Sequence, residues 1–334
     1  MKTWNLILCG CGVMGRKTAE ALLEKHSYQI VGAVDINSDL IGKDLGELFE
    51  NTHQTGIIIR EKPGELFHCV GADAVILTTT SHLENIKPQI EECLEAGLNV
   101  VSTCEELAFP WKRHPEIASG IDRKAKENGV TVVGTGINPG FLMDTLPALL
   151  TGPCLSVDSI KVTRMMDSFR RRVPFQRKVG TALSGDEFHR QIENGVITGH
   201  VGLLESINMI AAALNWELDE LVELPPEPVL AETKTETALG LVPTGDVIGL
   251  SSVAFAKRNG CEVIRLEFVA NASVKDEYDE IIIEGRPRIH QRILGGVHGD
   301  LGTVAMTINT ISRAVEGPPG LKTMLELPPA VFVP

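Results

Sequence analysis

Trp4-Asn5-Leu6-Ile7-Leu8-Cys9-Gly10-Cys11-Gly12-Val13-Met14-Gly15 decides the fold of this 334-residue chain. An apolar run breaks into a Gly-x-Gly-x-x-Gly turn, and a helical pattern follows, with Ala19, Leu22 and Leu23 at i, i+3 and i+4. A second apolar run, 29–34, ends in Asp35, 20 residues after Gly15. Strand, glycine turn, helix, strand and acid in this order make a dinucleotide site. Gly10 permits the tight turn, Gly12 lets a pyrophosphate approach the backbone, and Gly15 lets helix and strand pack closely. Val13 and Met14 complete the turn at a helix N-terminus whose free N–H groups and positive dipole end face the phosphates. A carboxylate at Asp35 accepts both ribose hydroxyls and repels a 2′-phosphate, which favours NAD. Ile36, Asn37 and Ser38 bring no arginine for such a phosphate. Arg16 and Lys17, at the helix start, leave NADP open as a second cofactor.

Outward from this stretch, apolar runs and helical patterns alternate. Residues 39–49 read as helix or loop and 56–59 as a short strand. The run 73–78 reads as a buried parallel strand, 83–96 as a helix stopped at Gly97, 99–102 as a strand, 115–128 as a helix stopped at Gly129, and 131–134 as a further strand. This is a doubly wound α/β pattern with a parallel sheet. Near residue 140 the character changes. Long strands are expected at 157–166, with Ile160, Val162 and Met165 on one side, and at 231–238, 247–256, 262–270 and 280–284, forming a mixed or antiparallel sheet. Helices are expected at 184–193, with Ser184 and Glu187 as a capping box, and at 201–214. A last helix over 300–314 is apolar on Val304, Ile308 and Ile311, and the proline-rich tail reads as extended.

The expected organisation is therefore α/β. A Rossmann-type parallel-sheet domain spans 1–140. A second α+β domain, for substrate binding and dimerisation, spans 141–299. A C-terminal helix and tail, 300–334, pack back on the first domain.

Composition narrows the function. A net charge of −13 argues against nucleic acid and anionic membrane surfaces as partners. No apolar stretch is long enough to span a bilayer, and the N-terminus enters the first strand directly, so a cytoplasmic protein is expected. Seven scattered cysteines fit reduced thiols, and the histidines and carboxylates show no metal-ligand spacing.

In open α/β sheets ligands bind beyond the carboxyl ends of the strands. That places Thr79, Thr80 and His82 after one strand and Thr103 after the next on the cofactor side. The structured loop Gly134-Thr135-Gly136-Ile137-Asn138-Pro139-Gly140-Phe141 follows a third, with Asn138, Pro139 and Phe141 expected to face substrate. His200 and His298 are further substrate-side candidates, as is the basic cluster Arg170-Arg171-Arg172 with Arg177 and Lys178, of which Arg170 represents the group. Glu105 and Glu106 follow a buried strand, where a carboxylate serves as a general base or binds a cationic amine. Neighbours in sequence point different ways, so one of the two is expected in the site.

Four phrases, CGCGVMGR, VVSTCEEL, GTGINPGFLMDTLP and GGVHGDLGT, give the chain a resemblance to 2,4-diaminopentanoate dehydrogenases and the related native NAD(P)H-dependent amine dehydrogenases. Both share a dihydrodipicolinate-reductase-like N-terminal domain. The resemblance spans essentially the whole length. It implies oxidative deamination of an amine to a ketone, the reverse reductive amination with ammonia, and a homodimer formed through the second domain. It also implies a catalytic carboxylate at Glu105. Matching GLNVVSTCE to the homoserine dehydrogenase pattern GKHVVTANK likewise puts Glu105 where that family has its catalytic lysine. Two alternatives stand beside this: an imine or carbonyl reductase like dihydrodipicolinate reductase, and a silent NAD-binding sensor.

Overall fold

The computed structural model describes residues 2–49, 54–64, 66–169, 171 and 173–334, and these divide into two compact units. The first comprises 1–141 with 299–334, and the second is 142–298.

The first unit is built on seven parallel strands. In chain order they are β1 (Trp4–Cys9), β2 (Tyr28–Val34), β3 (Ile59–Arg60), β4 (Ala74–Leu77), β5 (Asn99–Ser102) and β6 (Thr131–Gly134), with one more from the tail given below. Helix α1 (Val13–Leu23) follows β1, the single turn α2 (Leu66–Cys69) precedes β4, α3 (Leu83–Glu95) follows β4, and α4 (Pro115–Glu127) precedes β6. Unbroken apolar sequence suits such strands because helices cover both faces, and Ala74, Val75, Ile76 and Leu77 are all buried. On one face α1 packs on the long last helix, and on the other α3 packs on α4. Leu23 is exposed rather than part of the stripe of α1, which buries Ala19 and Leu22. The segment 39–49 is a loop ending in a short 3₁₀ turn, Leu45–Leu48, pinned by the buried Asp44. That carboxylate accepts hydrogen bonds from the N–H groups of Gly46, Thr55 and Gly56.

The second unit holds α5 (Thr145–Leu150), β7 (Ser156–Asp167), α6 (Val173–Lys178), α7 (Gly185–Glu193), α8 (Leu203–Ala213) and eight further strands. These are β8 (Glu220–Glu223), β9 (Glu227–Leu230), β10 (Thr235–Thr237), β11 (Gly240–Val242), β12 (Val247–Arg258), β13 (Cys261–Asn271), β14 (Tyr278–Arg286) and β15 (Ile289–Leu294). The main sheet runs β15-β14-β7-β13-β12-β8, with β9 also on β12. It is mixed, because β7 lies parallel to β13 and antiparallel to β14. Helix α8 covers its inner face at β12 and β13.

Several expectations are corrected here. Residues 231–238 are not one strand: the chain turns after β9, and β10 pairs only with β11. On β7 the inward series is Ile160, Val162, Arg164 and Met166, not Met165, because side chains alternate with a strict period of two. The box at α7 is half formed: Ser184 Oγ accepts from Glu187 N–H, while the Glu187 carboxylate turns to Arg190. The tail is not wholly extended coil. After α9 (Gly299–Val315), residues Gly320–Lys322 form β16, which pairs with β6 and completes the order β16-β6-β5-β4-β1-β2-β3.

Candidate functional site

In the first unit the strand order reverses between β1 and β4, and a cavity of about 540 Å³ opens there at the carboxyl ends of the strands. Gly10, Gly12, Asp35, Thr79 and Thr80 line it. The turn cannot carry side chains at Gly10 or Gly15. Gly10 has φ +93°, and a Cβ on Gly15 would sit 1.8 Å from the Gly10 carbonyl oxygen. Thr78 Oγ1 fastens the turn to β4 by donating to the Gly10 carbonyl at 2.8 Å. Above Gly12, by contrast, a Cβ would meet nothing within 4 Å, and α1 starts there with no side-chain cap. Open space over an uncapped helix end is the cradle a pyrophosphate needs, so these residues fit a dinucleotide.

Asp35 ends β2 with its carboxylate held toward the turn. Oδ2 accepts from Cys11 N–H at 2.5 Å and Oδ1 from Asn37 N–H at 2.8 Å. Val13 is exposed, and Met14 packs on the core beneath the turn. Arg16 donates to the Leu48 carbonyl, and Lys17 pairs with Asp300 at 2.7 Å. Both cations of the helix start are thus engaged within the protein.

Glu105 and Glu106 lie on a 3₁₀ turn, Glu105–Leu107, directly after β5. Their environments differ sharply. Glu106 is 7% exposed. Its Oε2 accepts from Leu83 N–H at 2.7 Å, closing the N-terminus of α3, and its Oε1 lies 3.2 Å from His82 Nδ1. His114 Nε2 lies 3.5 Å from Oε2. Burial alone would raise the Glu106 pKa, yet these hydrogen bonds and charges bring it below the ordinary carboxylate value. Glu106 is therefore a strut between two helix starts and the turn, while Glu105 is half-buried beside it. His82 is turned to Glu106 and does not line the cavity; nor does Thr103, whose N–H donates to Leu77.

The loop 134–141 is closed on itself. Gly140 takes φ +127°, where a Cβ would lie 2.5 Å from Gly136 N, and Ile137 N–H donates to Thr303 Oγ1 of α9 at 3.3 Å. Asn138 and Phe141 are half-buried and Pro139 is buried.

The second unit gathers charge. Arg164, 3% exposed on the inner face of β7, donates to the Val297 carbonyl and lies 3.6 Å from Asp279 Oδ1. Burial lowers the pKa of Arg164 and raises that of Asp279, so desolvation outweighs their attraction. Arg171 Nη1 lies 3.1 Å from His298 Nε2. A guanidinium only donates, so His298 accepts there and carries its proton on Nδ1. His200 stacks on Phe268 at 4.6 Å, and burial with the charges of Arg164 and Lys178 lowers its pKa to about 3, leaving it neutral. Arg170 and Arg172 lie outside the described residues. Sequence reading passed over Arg164, although an arginine in the inward series of an apolar strand was the available signal.

Comparisons with known proteins agree with this construction. The family of dihydrodipicolinate reductase N-terminal domains matches residues 4–104, and the 2,4-diaminopentanoate dehydrogenase C-terminal domain family matches 141–333. A 2,4-diaminopentanoate dehydrogenase from Acetoanaerobium sticklandii is 35% identical, covering 98% of this chain and 94% of its own length. An amine dehydrogenase from Streptomyces virginiae is 23% identical, over 97% and 96%. The fold matches a solved amine dehydrogenase from Mycobacterium smegmatis with a TM-score of 0.83 at 24% identity, covering 98% of this chain and 97% of that one. The dihydrodipicolinate reductase match ends just where Glu105 begins, and the C-terminal half follows the diaminopentanoate pattern. With a Rossmann-type NAD(P)-binding unit and that C-terminal domain in one polypeptide, the chain belongs to the 2,4-diaminopentanoate dehydrogenase family, oxidoreductases that act on amines.

Proposed function

We propose that the chain is an NAD-preferring dehydrogenase of a small amine that carries a carboxylate, 2,4-diaminopentanoate or a close analogue, with Glu105 as its catalytic acid and base. The observation that carries this is the division of labour on the turn after β5. Glu106 is turned inward to Leu83, His82 and His114, whereas Glu105 is only half-buried just beyond the carboxyl end of β5, where ligands of open α/β sheets bind. The nicotinamide, when bound, takes the hydride from the amine-bearing carbon or returns it. Glu105 balances the positive charge that develops on nitrogen as the iminium forms. It then accepts a proton from the water that adds, and in the reverse direction it deprotonates ammonium and assists loss of water.

The preference for NAD is supported by Asp35 and by Glu61, which lines the same cavity. Both repel a 2′-phosphate, while Arg16 and Lys17 are occupied elsewhere. For the substrate carboxylate we assign the basic cluster of the second unit, with Arg164 and Arg171 as its cations, His298 beside Arg171, and the neutral His200 as an uncharged partner.

We also infer a homodimer through the outer face of the second sheet. Val253, Phe255, Val269 and Ile282 stand half-exposed there, among ion pairs of Glu267 with Lys161 and Arg265. The free edge strand β15 exposes His290, Arg292 and Leu294, and such charges discourage edge-to-edge pairing.

The test is absorbance of the reduced nicotinamide. NADH should be consumed with a 2,4-disubstituted keto acid only when ammonium is present, and 2,4-diaminopentanoate should reduce NAD in the other direction. Turnover that ignores ammonium would remove the amine dehydrogenase reading.

A further inference from the structure

Helix α3 carries a polar stripe that the dinucleotide motif does not call for. Asn85, Gln89 and Glu92 are spaced i, i+4 and i+7, so they share one helix face, and all three line the cavity that also holds Gly12 and Asp35. The neighbouring positions Ile86, Ile90, Cys93 and Leu94 are buried in the core. Gly12 marks the pyrophosphate and Asp35 the adenosine ribose. The base, one bond beyond that ribose, falls in the remaining part of the same cavity, between the stripe and the apolar wall at Phe67 and Leu77.

We propose that Gln89 and Glu92 read the hydrogen-bonding edge of the adenine ring. This rests on the reading of the cavity as the NAD site. The chemistry is complementary. Thr79 Oγ1 donates to Gln89 Oε1 at 2.9 Å, so the Gln89 amide presents its N–H groups. The Glu92 carboxylate presents only acceptors. Adenine offers the matching pair, an N6 amino donor beside a ring-nitrogen acceptor, on either of its edges. Positions i and i+3 on a helix are neighbours about 5–6 Å apart at Cβ, a distance that two flexible side chains close onto adjacent groups of one base. Hypoxanthine carries a carbonyl oxygen where adenine has its amine, on both edges, and that oxygen would face the Glu92 carboxylate.

The experiment is equilibrium binding, read by nucleotide fluorescence, of NADH and of reduced nicotinamide hypoxanthine dinucleotide. The wild-type protein is expected to bind the hypoxanthine form roughly 10- to 100-fold more weakly, the range of one good bidentate base contact. In Glu92→Gln the ratio should collapse to a few-fold, because the amide can donate to the carbonyl. Glu92 is exposed, so the variant is expected to fold. Asp35→Ala should weaken both dinucleotides and leave their ratio as in the wild type. Binding of the two within about twofold in the wild type, or an unchanged ratio in Glu92→Gln, overturns the proposal while leaving the NAD site standing. No binding of either overturns the site and the proposal together.

Discussion

At the glycine turn of the first unit an anion meets backbone N–H groups and an uncapped helix end, and the charged side chains lining the cavity, Asp35, Glu61 and Glu92, are all acids. Around Arg164 in the second unit the positive charge sits on side chains, and one of them is buried against an acid. The first arrangement admits a phosphate only where the backbone points and rejects it elsewhere. The second fixes one cation, Arg164, on a sheet strand, at the cost of desolvating it. On the proposed reading, one unit selects by repulsion and the other by attraction. The group proposed for proton transfer, Glu105, belongs to the unit whose cavity, among the described residues, is lined by no Lys or Arg.

The largest effect should come from that group. Glu105→Gln is expected to lose on the order of 10²- to 10⁴-fold in deamination rate, while NADH affinity, measured by fluorescence, stays within a few-fold. An active Glu105→Gln would return the chemistry to some other residue and erase the division between the units.

Next comes Arg164. Arg164→Met leaves Asp279 buried without its partner, which costs about 3–5 kcal/mol in denaturant unfolding. Adding Asp279→Asn should recover much of that stability and keep an acceptor for Val297 N–H. The KM for a carboxylate-bearing amine should remain raised in the double variant, with little change for a plain amine. A parallel recovery of stability and KM would make Arg164 purely structural.

How legible each region was follows from the same contrast. Gly10, Gly12, Gly15 and Asp35 are read from spacing because their roles depend on backbone conformation within one local unit. Asp44, Glu61 and Glu92 could not be read that way, since nothing in their own neighbourhood marks what they face. The cluster around Arg164 joins residues from 164 to 298, and its geometry exists only once the sheet has set β7 beside β14. Composition and position do not separate Glu105 from Glu106, and the resemblance alone favours Glu105; the contacts of Glu106 with His82, His114 and the start of α3 join segments distant in sequence. Strands β11 and β16 were missed because three-residue pairings carry almost no periodic signal.

A smaller effect sharpens the repulsive half of the comparison. Asp35→Ser should cut NADH affinity by several-fold and raise NADPH affinity relative to it, though not to a preference for NADPH, because Glu61 still lines the cavity. An unchanged ratio in competitive binding would mean that Asp35 serves only the Cys11 and Asn37 N–H groups.

The smallest concerns Glu106 and acid. Its folded pKa lies below the ordinary 4.5, so the unfolded chain binds the proton more readily. The stabilisation is fully present above about pH 4.5 and is lost as pH falls through the folded value. Glu106→Gln should therefore cost roughly 1–2 kcal/mol at neutral pH, a difference that narrows in unfolding experiments below pH 4.5. A constant difference across that range would assign the loss to packing instead of charge.

Strand β16 sets an order on synthesis. It pairs with β6, and Leu321 N–H and the Pro318 carbonyl tie it to Asp122 and Thr131. Yet it is translated after the whole of 142–298. A growing chain therefore carries the parallel sheet with β6 as a bare edge until 142–298 and the tail have been made. Bare edges invite pairing with other chains. The edge at β6 therefore stays open to other chains until residues 320–322 pair with it.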